Sequence, residues 1–87
     1  MLPTITNYGR YPSDNYGAHT RTVSLAQIDL YYSYNTIVAY CDKKDGLTVS
    51  VNIWGATTGK HLNWIDGGNK KARLPNDAFN VALRAAA

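Results

Sequence analysis

Residues 37 to 53 read IVAYCDKKDGLTVSVNI, and the folding of this stretch decides the rest of the chain. Asp42-Lys43-Lys44-Asp45-Gly46 is a polar turn, and beyond it Leu47, Val49, Val51 and Ile53 alternate with Thr48, Ser50, Asn52 and Trp54. Before it, Ile37, Ala39 and Cys41 alternate with Val38 and Tyr40. Successive side chains of a strand point to opposite faces, so two runs of period two joined by a short turn ending in glycine predict an antiparallel hairpin.

The same period extends upstream. Val23 and Leu25 alternate with Thr22 and Ser24, and Ile28, Leu30, Tyr32 and Tyr34 alternate with Asp29, Tyr31 and Ser33, the pattern of half-buried strands. Asn35-Thr36 bends the chain before Ile37, so this part reads either as one long bent strand or as two. Near the start, Asn-Tyr-Gly occurs at 7–9 and again at 15–17, around Tyr11-Pro12-Ser13-Asp14. Gly and Asn tolerate positive φ and Pro12 has no N–H for a ladder, which predicts a tight loop after a short first strand. Beyond Pro75 the period becomes helical: Ala78, Phe79, Ala82, Leu83 and Ala86 share one face, with Asp77 near the positive end and Arg84 near the negative end. Either Pro75 takes the first helical position or Asn76 caps the helix. The expected architecture is α+β, with residues 1–87 as a single compact domain: an antiparallel sheet of four to five strands and one C-terminal helix packed on it.

Composition narrows the function classes. In 87 residues, nine Lys and Arg stand against six acidic residues, all Asp, for a net charge of +3. This permits nucleic-acid binding without supplying a concentrated basic face. One cysteine, Cys41, forms no internal disulfide and supports no zinc ribbon. No apolar run is long enough for a signal peptide or a membrane helix, so the expectation is a cytoplasmic protein with no membrane partner. Seven Tyr and two Trp in so short a chain point to contact surfaces, since aromatics pair an apolar body with a polar tip.

Residues 54–63, WGATTGKHLN, approach a phosphate-binding loop without reaching it. That loop needs four residues between its glycines and a hydroxyl after the Lys to hold Mg²⁺. Here three residues separate Gly55 from Gly59, and His61 follows Lys60. Thr57, Thr58, Lys60, His61 and Asn63 read either as a polar patch for a partner or anion, or as a structured loop whose side chains satisfy local backbone groups. The short piece His61 to Ile65, closed by Asp66-Gly67-Gly68, reads as too brief for the long helix that follows a true phosphate loop. No catalytic set stands out. His19 and His61 lack a Gly-x-Ser-x-Gly elbow, Cys41 falls among apolar strand residues, Glu is absent, and Asp14, Asp42, Asp45 and Asp66 sit in turns. Metal-ligand spacing is missing as well, so neither enzyme activity, nor a metal, nor a cofactor is expected.

Two segments carry a resemblance. Ser33-Tyr34-Asn35-Thr36-Ile37-Val38-Ala39, followed by Asn52-Ile53-Trp54-Gly55-Ala56-Thr57-Thr58-Gly59-Lys60-His61-Leu62-Asn63, resembles a family of small uncharacterised phage and prophage proteins with an SY-x-T-x-VA strand and a TT-x-KH-x-N loop. The likeness covers nearly the whole chain and implies a phage origin, with no mechanism attached. Together with small size and aromatic content, it leads to the expectation of a phage accessory protein that inhibits a host defence or host enzyme by direct contact, an anti-CRISPR protein being one example. Its partner would be a host protein or complex. The contact surface would combine Trp54, Thr57, Thr58, Lys60, His61, Asn63 and Trp64 with Tyr8, Tyr11 and Tyr16 of the first loop. Two alternatives stay open. Lys70, Lys71 and Arg73, with Tyr16, Trp54 or Trp64 for stacking, would make a nucleic-acid-binding module; the near-phosphate loop would make a holder of a phosphorylated signal molecule that does not hydrolyse it. An exposed strand edge would allow a homodimer.

Overall fold

The computed structural model describes residues 3–9 and 17–86. Among these residues five strands form one antiparallel meander, β1 (Thr4–Thr6), β2 (Thr20–Ser24), β3 (Ile28–Ser33), β4 (Thr36–Asp42) and β5 (Gly46–Val49), in the spatial order β1-β2-β3-β4-β5. The hairpin expected around Asp42–Gly46 is present, with Asp42 opposite Gly46, Cys41 opposite Leu47 and Ala39 opposite Val49. The Asp42 carboxylate accepts the Lys44 N–H at 2.7 Å, which ties the turn through a local side-chain bond. Asn35-Thr36 divides two strands, because Tyr34 and Asn35 form the turn between β3 and β4.

The class is α+β, but the expected single C-terminal helix is one of two among the described residues. Helix α1 covers Ala56–Asp66, where the sequence reads as a loop followed by a short piece from His61 to Ile65; a 3₁₀ turn follows at Lys70–Ala72, and helix α2 covers Asn76–Ala86. The Pro75 carbonyl accepts the Phe79 N–H at 2.8 Å, so Pro75 flanks α2 and Asn76 is its first residue. The strand predicted to run on to Ile53 ends at Val49. There the returning chain closes the sheet edge: Leu74 N–H donates to the Val49 carbonyl and Val51 N–H to the Leu74 carbonyl, both at 2.8 Å.

The two helices lie on opposite faces of the sheet, and β4 shows why. Between Tyr31 and Tyr32 of β3 the register with β4 shifts: Tyr31 pairs with Ala39, Tyr32 pairs with Ile37, and Val38 is the extra residue of a bulge. The bulge lets Val38 and Ala39 join one core cluster with Val49 and Leu62 of α1, flanked by Tyr31 and Ile65. Ile37 and Tyr40 join the other, with Ile28, Leu30, Leu74 and the α2 residues Phe79, Ala82, Leu83 and Ala86. Three consecutive residues of β4, Val38, Ala39 and Tyr40, are therefore buried. A strand covered on both faces loses the polar and apolar alternation of a half-exposed one.

Phe79 is fully buried, its ring 5.8 Å from that of Tyr40, and it anchors α2. Phe79→Ala is expected to cost about 3–5 kcal/mol, a large part of the stability of a domain this small. Urea unfolding followed by circular dichroism measures it; a cost below about 1 kcal/mol would be inconsistent with this packing.

Candidate functional site

Asn52 starts the site by shaping the backbone before α1. Its Oδ1 accepts the N–H groups of Trp54 at 2.9 Å and Gly55 at 3.2 Å, while its Nδ2 donates to the Gly55 carbonyl at 2.8 Å. Gly55 sits at φ 139° and ψ −170°, a conformation open in practice to glycine alone, and no side chain caps the helix there. This Asn–Gly turn holds Trp54 at the mouth of a depression of about 290 Å³ lined by Tyr34, Trp54, Gly55, Ala56, Thr57 and Thr58.

The inner face of α1 is Thr58, His61, Leu62 and Ile65, spaced i, i+3, i+4, i+7. Two of these are polar, and Ser33 of β3 satisfies both: its Oγ lies 2.8 Å from Thr58 Oγ1 and 2.7 Å from His61 Nδ1. All three side chains are buried, His61 completely. A buried polar group costs free energy unless it is bonded, so this network fixes the rotation of α1 on the sheet. Tyr8 completes the layer. Its ring meets Tyr31 edge-on at 5.6 Å and His61 edge-on at 6.1 Å, it lies 5.8 Å from Trp64, and its hydroxyl donates to the Tyr32 carbonyl at 2.9 Å.

Of the residues expected at a contact surface, Trp54, Lys60 and Trp64 are exposed and Thr57 is half-buried, with Thr57, Lys60 and Trp64 in one stripe along α1. His61, Thr58 and Tyr8 are turned inward. Asn63 is exposed, but its Oδ1 accepts from Arg73 Nη2 at 3.0 Å. Tyr11 and Tyr16 lie outside the described residues. In the basic stretch Lys70 and Lys71 are exposed, whereas Arg73 is buried against Asp66, with Nε 2.7 Å from Oδ2 and Nη2 2.9 Å from Oδ1. That pairing, and the N–H of Gly68 on Oδ1, hold the Asp66 carboxyl below the usual carboxylate range against the opposing effect of burial. The stretch between Gly55 and Lys60 is helix, so from Gly59 onward its N–H groups are spent on the helix ladder and form no phosphate-wrapping loop.

Tyr34 joins the surface without having been expected there. At φ 57° it holds a left-handed conformation unusual for a bulky residue, its ring stacks on His19 at 4.3 Å, and Arg21 Nη2 bonds its carbonyl at 2.9 Å. Among the described residues no three His, Cys, Asp or Glu side chains converge on a metal-sized site, and no helix is long and apolar enough to cross a membrane.

A family of unknown function, DUF8033, matches residues 5–81. The chain belongs to that family. The DUF8033 match takes in β1 from Ile5 onward, all of β2 to β5, the whole of α1 and the first half of α2, so the surface around Trp54 lies inside the family's extent. No curated protein and no solved structure matches the chain.

Two substitutions test these internal contacts. Ser33→Ala removes the bonds of its Oγ to Thr58 Oγ1 and His61 Nδ1 and is expected to cost about 1–3 kcal/mol; an unchanged urea midpoint would contradict a stabilising role for this network. Asp66→Asn leaves the Arg73 guanidinium buried without a counter-charge, at about 3–5 kcal/mol near neutral pH. Because folding lowers the Asp66 pKa, its contribution is full above the ordinary carboxyl value of 3.8 and is lost as pH falls through the still lower folded value. The stability gap between wild type and Asp66→Asn should therefore close in acid; a gap independent of pH would contradict the pairing.

Proposed function

We propose that this domain is a binding protein that acts by occupying the surface of a protein partner, with Trp54 and Trp64 as its anchors. One observation carries the reading: both tryptophans stay outside the core, Trp54 with 36% and Trp64 with 49% of their surface exposed. They flank a helix whose inner face is sealed into the sheet. A chain of 87 residues has few large apolar side chains to stabilise itself, and the indole surface that both Trp residues leave in water is costly unless a partner covers it. Tyr34, with 43% exposed, extends the aromatic surface past Trp54. From the start of α1 to Trp64 is roughly 12 Å along the helix axis, a span suited to two anchor residues of one interface.

The resemblance to small phage proteins supports a host protein as the partner, and inhibition of a host defence or host enzyme as the consequence of covering its surface. Burial of Arg73 takes one charge from the Lys70–Arg73 cluster, which favours the protein-contact reading over the nucleic-acid one.

The test is a tagged pull-down from host lysate, with nuclease, comparing wild type with Trp54→Ala/Trp64→Ala. Each anchor is expected to contribute about 2 kcal/mol, roughly 30-fold in affinity, so a discrete protein captured by the wild type should vanish with the double variant while its circular dichroism is kept. Equal capture by both proteins would refute the surface, and capture that disappears with nuclease would move the assignment to nucleic acid.

A further inference from the structure

On the flank of α1 away from Trp64, a niche of about 260 Å³ is lined by Val51, Asn52, Gly59, Asn63, Lys70 and Arg73. We propose that this niche binds an oxyanion, a phosphate or carboxylate group carried by a small ligand or a chain end, with Arg73, Lys70 and Asn63 as its donors. A guanidinium has five N–H groups in a rigid plane. In Arg73, whose side chain is only 4% exposed, Nε and Nη2 spend three of them on Asp66 and Asn63. The two on Nη1 meet no acceptor among the described residues. They lie at the end of the guanidinium turned away from the Nε and Nη2 edge that grips Asp66, and a buried donor without an acceptor is an unfavourable arrangement that a ligand can relieve.

The remaining lining supports the same chemistry. Lys70 is exposed and forms no ion pair among the described residues, and the Nδ2 of Asn63 is unspent because only its Oδ1 bonds to Arg73. Asn52 is committed to the Trp54–Gly55 turn and supplies only wall. No carboxylate lines the niche. Asp66 faces a separate depression, with Leu47, Val49, Asn69 and Ala72. A site offering donors and cationic groups selects a ligand atom that only accepts, as phosphate and carboxylate oxygens do. Gly59 makes the room: a Cβ there would stand 3.0 Å from Asn52 Nδ2. The niche and the tryptophan surface lie on different flanks of α1, so either assignment can fail without the other.

The experiment titrates the full ¹⁵N-labelled chain with sodium phosphate and, separately, sodium acetate, each against sodium chloride at matched ionic strength. Expected are saturable shifts of the Gly59 and Lys70 amides, the Asn63 side-chain amide and the Arg73 Nε–H. Lys70→Ala should weaken binding about tenfold, the loss of one charge-assisted bond. Gly59→Ala, whose Cβ would crowd Asn52 Nδ2 at 3.0 Å, should weaken it by narrowing the niche, with circular dichroism checking that the helices are kept. Saturation by phosphate alone or by acetate alone supports the site and assigns its ligand class. Shifts no different from those with chloride, or shifts undiminished in both variants, would overturn it.

Discussion

The structure depends on β4 being buried on both faces at once. Val38, Ala39 and Tyr40 are consecutive and all buried, which a regular half-exposed strand does not allow. The bulge at Val38 resolves the geometry by turning Val38 and Ala39 toward α1 and leaving Ile37 and Tyr40 for α2. One strand thereby supplies the floor for both helices, and a small chain obtains two compact clusters where a meander with a single helix would have one. The returning segment at Leu74 then pairs with the end of β5 and brings α2 round to the second face.

With α1 committed to the first face, the polar chemistry of its inner side decides what is left outside. Ser33 ties Thr58 and His61 in place, and this fixes the helix rotation that turns Trp64 and Lys60 outward. Asn52 and Gly55 set the start of the helix and hold Trp54 beside Tyr34. The aromatic surface is therefore a consequence of an internal hydrogen-bond network. The Arg73–Asp66 pair acts at the opposite end, joining the last turn of α1 to the 3₁₀ turn, and leaves one end of its guanidinium directed away from that contact.

Much of the sheet was legible in the sequence, because period-two alternation reports strands directly and Asp42–Gly46 has the chemistry of a turn. Helix α2 was legible through Phe79, Ala82, Leu83 and Ala86. Helix α1 was not. Its buried face contains Thr58 and His61, which read as polar loop residues, and it carries Gly59 in mid-helix, where glycine is unfavourable. The signals existed: Thr58, His61, Leu62 and Ile65 follow the helical spacing, and Gly67 ends the helix at φ 66°, a common left-handed stop. Reading them required counting a Thr and a His as core residues, which makes sense only once Ser33 is known to face them across the sheet. The candidate surface was legible in Trp54, Lys60 and Trp64. Tyr34 and Asn52 were missed because their roles arise from tertiary neighbours.

The fold leaves both tryptophans partly exposed and available to a partner, and collisional quenching of tryptophan fluorescence measures that exposure. Trp54→Phe and Trp64→Phe each leave a single emitter, which acrylamide and iodide would report separately. Expected is quenching of both by both agents, stronger for Trp64, which is 49% exposed, than for Trp54, which is 36% exposed. Emission from either residue that neither agent quenches would place that tryptophan in the core and contradict the surface on which the proposed function rests.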